Sequence, residues 1–202
     1  MHAFMTQLLL RPYWYLRHGQ TDWNRAGLSQ GRTDVPLNET GIEQANEAAV
    51  LIGQALDAAG KGGIVRIVSS PLERALRTAT IVRDALAARG LPTLPLSIEP
   101  DLAEVSFGEQ EGQPISDWYD DWIAGHYTPP QAESFAVLRA RAVGAINRAT
   151  ESEGCPLVVA HGALFRALRA AMDLPANVRL ANAVPLSAAP TQDGGWTLQE
   201  LP

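Results

Sequence analysis

The chain has 202 residues, of which 46% are hydrophobic and 19% are charged, and its formal net charge at pH 7 is -6. This composition excludes a disordered or fibrous protein, and we predict one globular domain over residues 1–202 rather than two small ones. Without a basic excess, nucleic acid or an anionic membrane is not expected as the main partner. The amino end lacks a signal peptide's features, and no apolar run reaches the ~20 residues that span a bilayer, so we expect a cytoplasmic location.

The first predicted element is a short buried strand with a polar cluster directly behind it. The strand residues Tyr13–Leu16 are bulky, and Arg17, His18 and Gly19 follow them. An arginine, a histidine and a glycine at a strand exit suggest an anion site. A chance surface pair after an edge strand is the alternative, since such a tripeptide is a weak signal by itself.

A loop, a helix and a second strand are predicted next. Residues 22–38 are polar and rich in glycine, which favours a long loop over the site, and such loops often supply binding residues. The three- and four-residue spacing of apolar side chains then predicts a helix over Glu39–Ala59. Residues Ile64–Ser69 predict the second strand.

The stretch after the second strand has the signals of a helix start. Ser70 is expected as the N-cap, Pro71 at the first helical position and Glu73 as the residue that completes a capping box. Arg74 lies in the first turn, off the apolar stripe, where a cation opposes the helix dipole. A bound anion would explain this placement, and an exposed arginine tolerated beside Glu73 is the alternative.

The middle of the chain predicts a strand, an acidic loop, a covering segment and a helix. Residues 94–98 form the strand, and the carboxylates of the loop at 101–112 are expected to be mostly solvated. Residues 113–131 contain two tryptophans, two tyrosines and two adjacent prolines. They fit a helix and loop over a pocket mouth or, equally, an ordinary packed insertion. A helix from residue 133 to about residue 150 follows.

The last third of the chain predicts a central strand and an edge hairpin. The continuous apolar run Pro156–Ala160 is typical of a buried parallel strand, and it ends at His161 and Gly162 before a helix over 163–172. The start of that helix offers backbone donors suited to a phosphate. Strands at 183–188 and 196–201 are expected to form the hairpin around its Asp-Gly-Gly turn.

Cys155 is the only cysteine, so it cannot form an internal disulfide. We expect a core or near-core thiol, because the sequence places no partner that would activate it as a nucleophile.

These elements predict an α/β fold with a mainly parallel sheet, in which ligands bind beyond the carboxyl ends of the strands. We therefore expect Arg17, His18, Arg74 and His161 to converge. Guanidinium forks match a phosphate with two bonds, which a lysine cannot do. A metal site is the competing interpretation of the two histidines, but two nearby arginines would repel a cation, so we predict no metal.

The sequence resembles the histidine phosphatase (phosphoglycerate mutase-like) superfamily in several stretches that occur in the family's order. These are Leu16–Thr21 with Asn24; Gln30-Gly31-Arg32 through Pro36-Leu37 to Thr40-Gly41; Ser69–Leu72 through Arg74-Ala75 to Thr78-Ala79; Leu102 through Glu104 and Gly108 to Glu111-Gly112; and Val158–Gly162. The resemblance implies a three-layer α/β/α sandwich. This agrees with the fold class that the strand pattern predicts.

Residue by residue, the resemblance implies that His18 is the nucleophile that accepts the phosphoryl group. It implies that Arg17, Arg74 and His161 hold the phosphoryl oxygens and that Glu104 donates the proton, a role that the sequence alone does not assign among its acidic neighbours. The residues expected to bind substrate are Asn24, Thr21, Gln30, Gly31 and Gly162.

Two departures from the family pattern stand near these residues. Gln20 occupies a position where many members have glutamate, and Ala132 precedes Glu133-Ser134 where glycine is more usual. Neither touches the four central residues, but Ala132 is expected to alter the pocket rim.

The resulting hypothesis is a phosphomonoesterase that hydrolyses a small phosphorylated metabolite through a phosphohistidine, without metal or cofactor. A cofactor-dependent phosphoglycerate mutase is the alternative, although such mutases are usually longer and have Glu-Arg-His-Tyr-Gly at the acid loop, where this chain has Ala103–Gly108. A noncatalytic phospholigand-binding module is a distant third. Sugar phosphates, nucleotides, cobalamin-pathway phosphates and phosphoproteins all stay open as substrates, and the oligomeric state, including a dimer, stays open too.

Overall fold

The structure is a computed structural model, and it describes residues 7–59 and 63–201. In this part of the chain, strands form one mixed sheet in the order β3-β2-β4-β1-β5-β6. They are β1 (Tyr13–Arg17), β2 (Ile64–Ser69), β3 (Leu96–Ile98), β4 (Cys155–Ala160), β5 (Pro185–Pro190) and β6 (Trp196–Glu200). The first four are mutually parallel, and β5 and β6 are antiparallel additions at one edge. The predicted α/β fold class is confirmed, and so is the carboxyl-terminal hairpin.

Helices cover both faces of this sheet. They are α1 (Asp22–Ala26), α2 (Glu39–Ala59), α3 (Glu73–Ala88), α4 (Trp118–Ala124), α5 (Phe135–Ala149) and α6 (Gly162–Ala171), with short 3-10 turns at Pro100–Leu102 and Gly108–Gln110. The bounds of α2 and β2 are those predicted from apolar spacing. None of the described helices is long and apolar enough to cross a membrane. The single domain over residues 1–202 and the cytoplasmic location stay predictions.

Two apolar cores lie on opposite sides of the sheet and give the fold its three layers. Because side chains alternate along a strand, Leu157 and Val159 of β4 pack against α2 and α3, whereas Val158 and Ala160 pack against α4, α5 and α6. All four side chains are fully buried. A strand buried on both faces has to be apolar throughout, which explains the continuous run in the sequence.

The predicted loop at 22–38 contains a helical turn, α1. Thr21 accepts the Asn24 N–H at 3.2 Å, and the Asn24 side chain accepts the Thr21 N–H at 3.4 Å, which completes a capping box. Gly27 then ends the helix in the left-handed conformation, with φ of 71°. The capping residues were visible in the sequence, but their polarity favoured a loop.

The predicted capping box at the start of α3 is wrong. The N-cap residue is Leu72, and its side chain makes no capping bond. Asp34 instead accepts the Glu73 N–H, with its two carboxylate oxygens at 2.9 and 3.0 Å. A carboxylate from a distant segment therefore caps this helix and brings a full negative charge to its amino end.

The acidic loop at 101–112 also differs from the prediction, because Glu104 and Glu111 are not simply solvated. Glu104 is 4% exposed. Glu111 accepts the backbone N–H groups of Arg32 and Thr33, both at 2.9 Å, and thereby joins two loops. Burial alone would raise the pKa of Glu111, but these bonds and one from the Thr33 hydroxyl lower it.

Cys155 is partly buried at the start of β4, and its thiol lies 3.6 Å from the Pro12 carbonyl oxygen. Burial raises the pKa of this thiol. Both observations agree with a near-core thiol and disfavour an activated nucleophile.

Candidate active site

The predicted site residues leave the sheet side by side at the carboxyl ends of β1, β2 and β4. Arg17 is in register with Ala160, and the His18 N–H continues the ladder to the Ala160 carbonyl oxygen at 3.0 Å. On the other side of β4, the Ser70 N–H donates to the Val159 carbonyl oxygen at 2.9 Å. The parallel pairing of three strands therefore brings distant segments of the chain to one edge.

His18 is held in one tautomer. Its Nδ1 lies 2.7 Å from the Gly19 carbonyl oxygen, which can only accept, so Nδ1 holds the ring proton and Nε2 has the lone pair. Arg74 donates to that Nε2 through its Nε, at 3.3 Å. Burial, together with Arg74 and Arg17, lowers the pKa of His18 well below its usual value. The imidazole is therefore a neutral base whose free nitrogen is Nε2.

Gly19 and Gly41 allow the backbone behind His18 to pass very close to a neighbouring segment. A Cβ atom on Gly19 would lie 2.2 Å from the Gly41 carbonyl oxygen, and one on Gly41 would lie 2.1 Å from the Gln20 carbonyl oxygen. The Gly19 N–H also donates to the Thr78 hydroxyl of α3, at 3.1 Å. These contacts place the backbone that fixes the His18 ring.

His161 is oriented by Ser70 and Tyr15. The Ser70 hydroxyl accepts the Leu72 N–H, so its own hydrogen can be donated to His161 Nε2, 2.7 Å away. The Tyr15 hydroxyl bonds the backbone of His161, accepting its N–H at 3.1 Å and donating to its carbonyl oxygen at 2.8 Å. In that arrangement His161 Nδ1 holds the ring proton, and among the described residues this buried nitrogen has no hydrogen-bond partner. Burial is the largest cause of the strongly lowered pKa of His161, followed by Arg74 and His18.

Arg17 has a buried donor without a described partner beside these rings. Its terminal NH1 donates to the Leu180 carbonyl oxygen at 2.7 Å, but its buried Nε has no partner in the part of the chain that the structure describes. Burial lowers the pKa of Arg17 to about 10, and the guanidinium is still protonated near neutral pH. Gly162 leaves room for this side chain, since a Cβ there would lie 3.3 Å from Arg17 Nε.

Arg74 is fully buried, which excludes the exposed arginine that was the alternative. Its NH1 donates to the Thr33 carbonyl oxygen at 3.0 Å and its NH2 to the Gly31 carbonyl oxygen at 2.7 Å. Asp34 lies 3.8 Å from NH1. The cation at this helix start is therefore stabilised by protein acceptors, and it faces His18 through the Nε edge.

Glu104 lies at the amino end of α6. Its Oε1 accepts the N–H groups of Val105 and Leu164, and its Oε2 accepts that of Ala163, each at 3.0 Å. Burial raises the pKa of Glu104, against the opposing effect of these N–H groups and of Arg74. Because Oε2 accepts only one bond, it can hold a proton while the three contacts stay in place.

The loop that contains Glu104 is held by an ion pair that the sequence analysis missed. Arg141 makes two bonds to Glu133, at 2.9 and 2.7 Å, and both side chains are largely buried. Arg141 NH1 also donates to the carbonyl oxygens of Asp101 and Ala103 at 2.6 and 2.7 Å. The Glu133-Ser134 motif was a signal for this role.

Asn182 is a second missed residue. Its side-chain amide donates to the His18 carbonyl oxygen at 2.9 Å and to Asn24 Oδ1 at 3.1 Å. It lies in the segment before β5, far from His18 in sequence. No local pattern indicates this contact.

Six of the ten predicted site residues line a cavity of about 370 Å³. Its wall is formed by Arg17, His18, Asn24, Gly27, Leu28, Gln30, Glu104, Phe107, Ile115, Tyr119, Gly162, Ala163, Arg166, Arg179 and Leu180. Ile115 and Tyr119 belong to the segment 113–131, so this segment covers the cavity and is not merely a packed insertion. Ala132 is not part of the wall, and its expected effect on the rim stays a prediction.

Not all of the predicted residues reach the wall. Arg74, His161, Thr21 and Gly31 are not part of it. Thr21 donates to Gln30 Oε1 at 2.6 Å, and Asn24 donates to the same oxygen at 3.1 Å. Thr21 therefore supports two wall residues from below. Within residues 7–59 and 63–201, no group of three or more His, Cys, Asp or Glu side chains could hold a metal ion.

A mainly parallel α/β sheet with two arginines and two neutral histidines at its carboxyl edge has the features of an enzyme site that binds phosphoryl groups. The particular family follows from comparison, since a model of the histidine phosphatase superfamily (branch 1) matches residues 13–201. The chain belongs to this superfamily, as its motifs predicted.

Relatives and solved structures agree with this assignment. The uncharacterized phosphatase PhoE of Bacillus subtilis is 35% identical over 156 residues, covering 76% of this chain and 72% of that protein. The probable phosphoglycerate mutase GpmB of Yersinia pestis is 32% identical over 204 residues, covering 91% and 89%. A mycobacterial glucosyl-3-phosphoglycerate phosphatase complexed with VO3 superposes with a TM-score of 0.74 at 28% identity, covering 94% of this chain and 97% of that one.

The alpha-ribazole phosphatase from Shigella flexneri superposes equally well, with a TM-score of 0.74 at 30% identity and coverage of 94% and 95%. Together, the family and these neighbours support phosphatase activity for this chain. They support a phosphoglycerate mutase only weakly.

The buried histidines make the stability of the fold depend on pH. In the unfolded chain, histidines take up protons below about pH 6.5, whereas His18 and His161 have lowered folded pKa values and stay neutral. The unfolded state then binds more protons, so we expect the free energy of unfolding to fall with decreasing pH below about 6.5, by up to about 1.4 kcal/mol per pH unit for each histidine. Urea unfolding at a series of pH values measures this slope.

The variant His161→Gln is the control, because it removes one of the two groups and should make the slope shallower. Glu104 acts in the opposite direction, since its raised pKa means that its contribution is lost as pH rises. Its effect is present in both proteins and cancels in the comparison. An unchanged slope in the variant would contradict a buried neutral His161.

Proposed function

We propose that this protein is a phosphomonoesterase in which His18 Nε2 takes the phosphoryl group from a small ester and passes it to water. The observation that supports this most strongly is the neutral His18 ring, whose lone pair on Nε2 is set by the Nδ1 bond to Gly19. Beside it are two buried donors without described partners, Arg17 Nε and His161 Nδ1. Unpaired buried donors are rare, and phosphoryl oxygens are acceptors suited to both.

In the first step, Nε2 attacks phosphorus as the bond from phosphorus to the ester oxygen breaks. In this step, the charge on the three phosphoryl oxygens is stabilised by Arg17, Arg74 and His161. Arg74 already donates to Nε2, so a small shift of its Nε would follow the phosphoryl group as the new bond forms. Glu104 gives its proton to the leaving alkoxide, which its raised pKa favours.

In the second step, a water molecule attacks phosphorus and the bond to Nε2 breaks. Glu104, now a carboxylate, takes the proton of that water and returns to its starting form. Inorganic phosphate leaves, and the neutral imidazole is restored. The same carboxyl group thus serves as acid and then as base.

The proposed substrate is small. A cavity of about 370 Å³ lies at the lower end of the range of roughly 300–1,000 Å³ that is usual for small-molecule sites. The wall combines cations with the apolar side chains of Leu28, Phe107, Ile115 and Leu180, which suit a short carbon skeleton.

Substitution of the nucleophile tests the covalent step. We expect His18→Ala to lower kcat by at least about a thousandfold while the protein stays folded, because the phosphoryl group has no acceptor. Wild-type enzyme quenched in alkali soon after mixing with substrate should contain an alkali-stable, acid-labile phosphoprotein that the variant lacks. Phosphate release by His18→Ala close to the wild-type rate would refute the mechanism.

We also propose that the reaction needs no metal, because arginines supply the positive charge that Mg²⁺ provides in many phosphoryl transfers. Treatment with EDTA should leave kcat and KM unchanged. A metal-dependent phosphatase assayed in parallel shows that the chelator is effective. If activity is lost in EDTA and restored by a divalent ion, this proposal is wrong.

The last test separates hydrolysis from isomerisation. A mutase has to keep water away from the phosphohistidine until an acceptor hydroxyl is in place, whereas a phosphatase admits water. We expect little 2-phosphoglycerate from 3-phosphoglycerate, even with 2,3-bisphosphoglycerate present, and labelled phosphate from a good ester in water enriched with oxygen-18. If isomerisation outruns phosphate release from every ester tested, the enzyme is a mutase.

A further inference from the structure

We propose that Arg166 and Arg179 form a second anion site in the same cavity, so that the substrate is a phosphomonoester with another acidic group on its carbon skeleton. This inference rests on the proposed phosphatase function and names the chemical class of its substrate. Both arginines form part of the cavity wall that also contains Arg17 and His18. Neither has a role in the phosphoryl transfer described above.

Arg166 is held rigidly in the wall. It projects from α6, its NH1 donates to the Tyr119 hydroxyl at 2.8 Å, and its guanidinium lies 5.0 Å from the centre of the Tyr119 ring. Its Nε is buried and has no acceptor among the described residues. A fixed guanidinium with an unused donor binds a carboxylate or phosphate at a low cost in conformational entropy.

Arg179 approaches the cavity from the segment between α6 and β5. Its side chain is exposed, and it also lines a neighbouring groove with Gln44 and Glu47. Within residues 7–59 and 63–201, neither Arg179 nor Arg166 lies within 4.0 Å of a carboxylate oxygen in an ion pair. Their charges are therefore not neutralised by a direct protein partner.

The charged side chains around the cavity indicate how much negative charge a bound substrate can carry. Among the described residues, Glu104 is the only acidic one in the wall, and the proposed mechanism starts with Glu104 protonated. The proposed mechanism assigns Arg17 and Arg74 to the transferring phosphoryl group, which leaves Arg166 and Arg179 without an assigned anion. Burial is the largest cause of the lowered pKa of Arg17, and Arg179 and Arg166 lower it further, as repulsion among cations does. A second anionic group relieves this repulsion, in a chain whose overall charge is -6.

The alternative is that these arginines only attract phosphate from solution or only support Tyr119. A general attraction would favour every phosphomonoester equally. If Arg166 had only a structural role, replacing it would lower the thermal stability and would weaken the binding of all substrates equally. A second anion site instead predicts a preference that depends on the substrate's second group, and this difference decides the experiment.

The experiment uses two matched pairs of phosphomonoesters. In the first pair, 3-phosphoglycerate has a carboxylate where glycerol 3-phosphate has a hydroxymethyl group. In the second pair, fructose 1,6-bisphosphate has a second phosphate that fructose 6-phosphate lacks. Each compound is tested as an inhibitor of p-nitrophenyl phosphate hydrolysis by the wild type. Its Kd is also measured by calorimetry on His18→Ala protein, where turnover does not interfere.

We expect the compound with the second acid to bind at least about tenfold more tightly than its partner in one pair, as charge-assisted hydrogen bonds commonly give. Arg179→Ala and Arg166→Gln should each reduce that preference severalfold while leaving the partner compound nearly unaffected. Arg139→Ala is the control, because Arg139 is an exposed arginine of α5 outside this cavity and its loss changes the net charge equally. It should leave the preference unchanged.

The pair that shows the arginine-dependent preference identifies the second group as a carboxylate or as a phosphate. Equal affinities within both pairs, or a preference that survives the loss of both arginines, would overturn the second anion site. Failure of the wild type to hydrolyse any phosphomonoester would refute the phosphatase function instead. The calorimetric preference on His18→Ala protein would still decide the question of the second site.

Discussion

The hydrogen bond between His18 Nδ1 and the Gly19 carbonyl oxygen is the contact on which the site depends, because it determines which ring nitrogen is free to react. The carbonyl is held by backbone geometry that only glycine permits, with Gly19 and Gly41 packed nearly atom against atom. Burial and two neighbouring arginines then keep the ring neutral. In the proposed mechanism His18 is the nucleophile, and a nucleophile that is correctly protonated before substrate arrives needs no separate base to activate it.

Burying charge near this ring is costly, and the structure compensates for it with polar partners rather than with solvent. Removing an arginine from water costs roughly several kcal/mol, which Arg74 offsets through two carbonyl oxygens, His18 and nearby Asp34. The negative charge that Glu104 carries as a carboxylate is stabilised by three backbone N–H groups, two of which lie at the start of α6. Because these partners come from different segments, the site forms only when the whole sheet edge is assembled.

The bounds of a helix or strand were predicted well wherever they follow from a periodic pattern of apolar residues. This holds for the bounds of α2 and β2 and for the buried run of β4, because the apolar faces of these elements have to be removed from water. Polar residues were predicted less well, because each has several possible partners. Ser70 has the properties of a helix cap, yet its hydroxyl orients His161, while Asp34 from a distant segment takes the capping role.

The sequence by itself determined the fold class and the family, and it predicted most of the residues that gather at the carboxyl edge of the sheet, since apolar periodicity and motif order are properties of the chain. The tertiary structure alone decided the tautomer of His18, the unpaired donors of Arg17 and His161, and the support from Asn182 and Arg141. It also decided that Arg166 and Arg179 share the cavity. The physical reason is that hydrogen bonds and charge interactions act over a few ångströms, and only the folded chain specifies which polar atoms come that close.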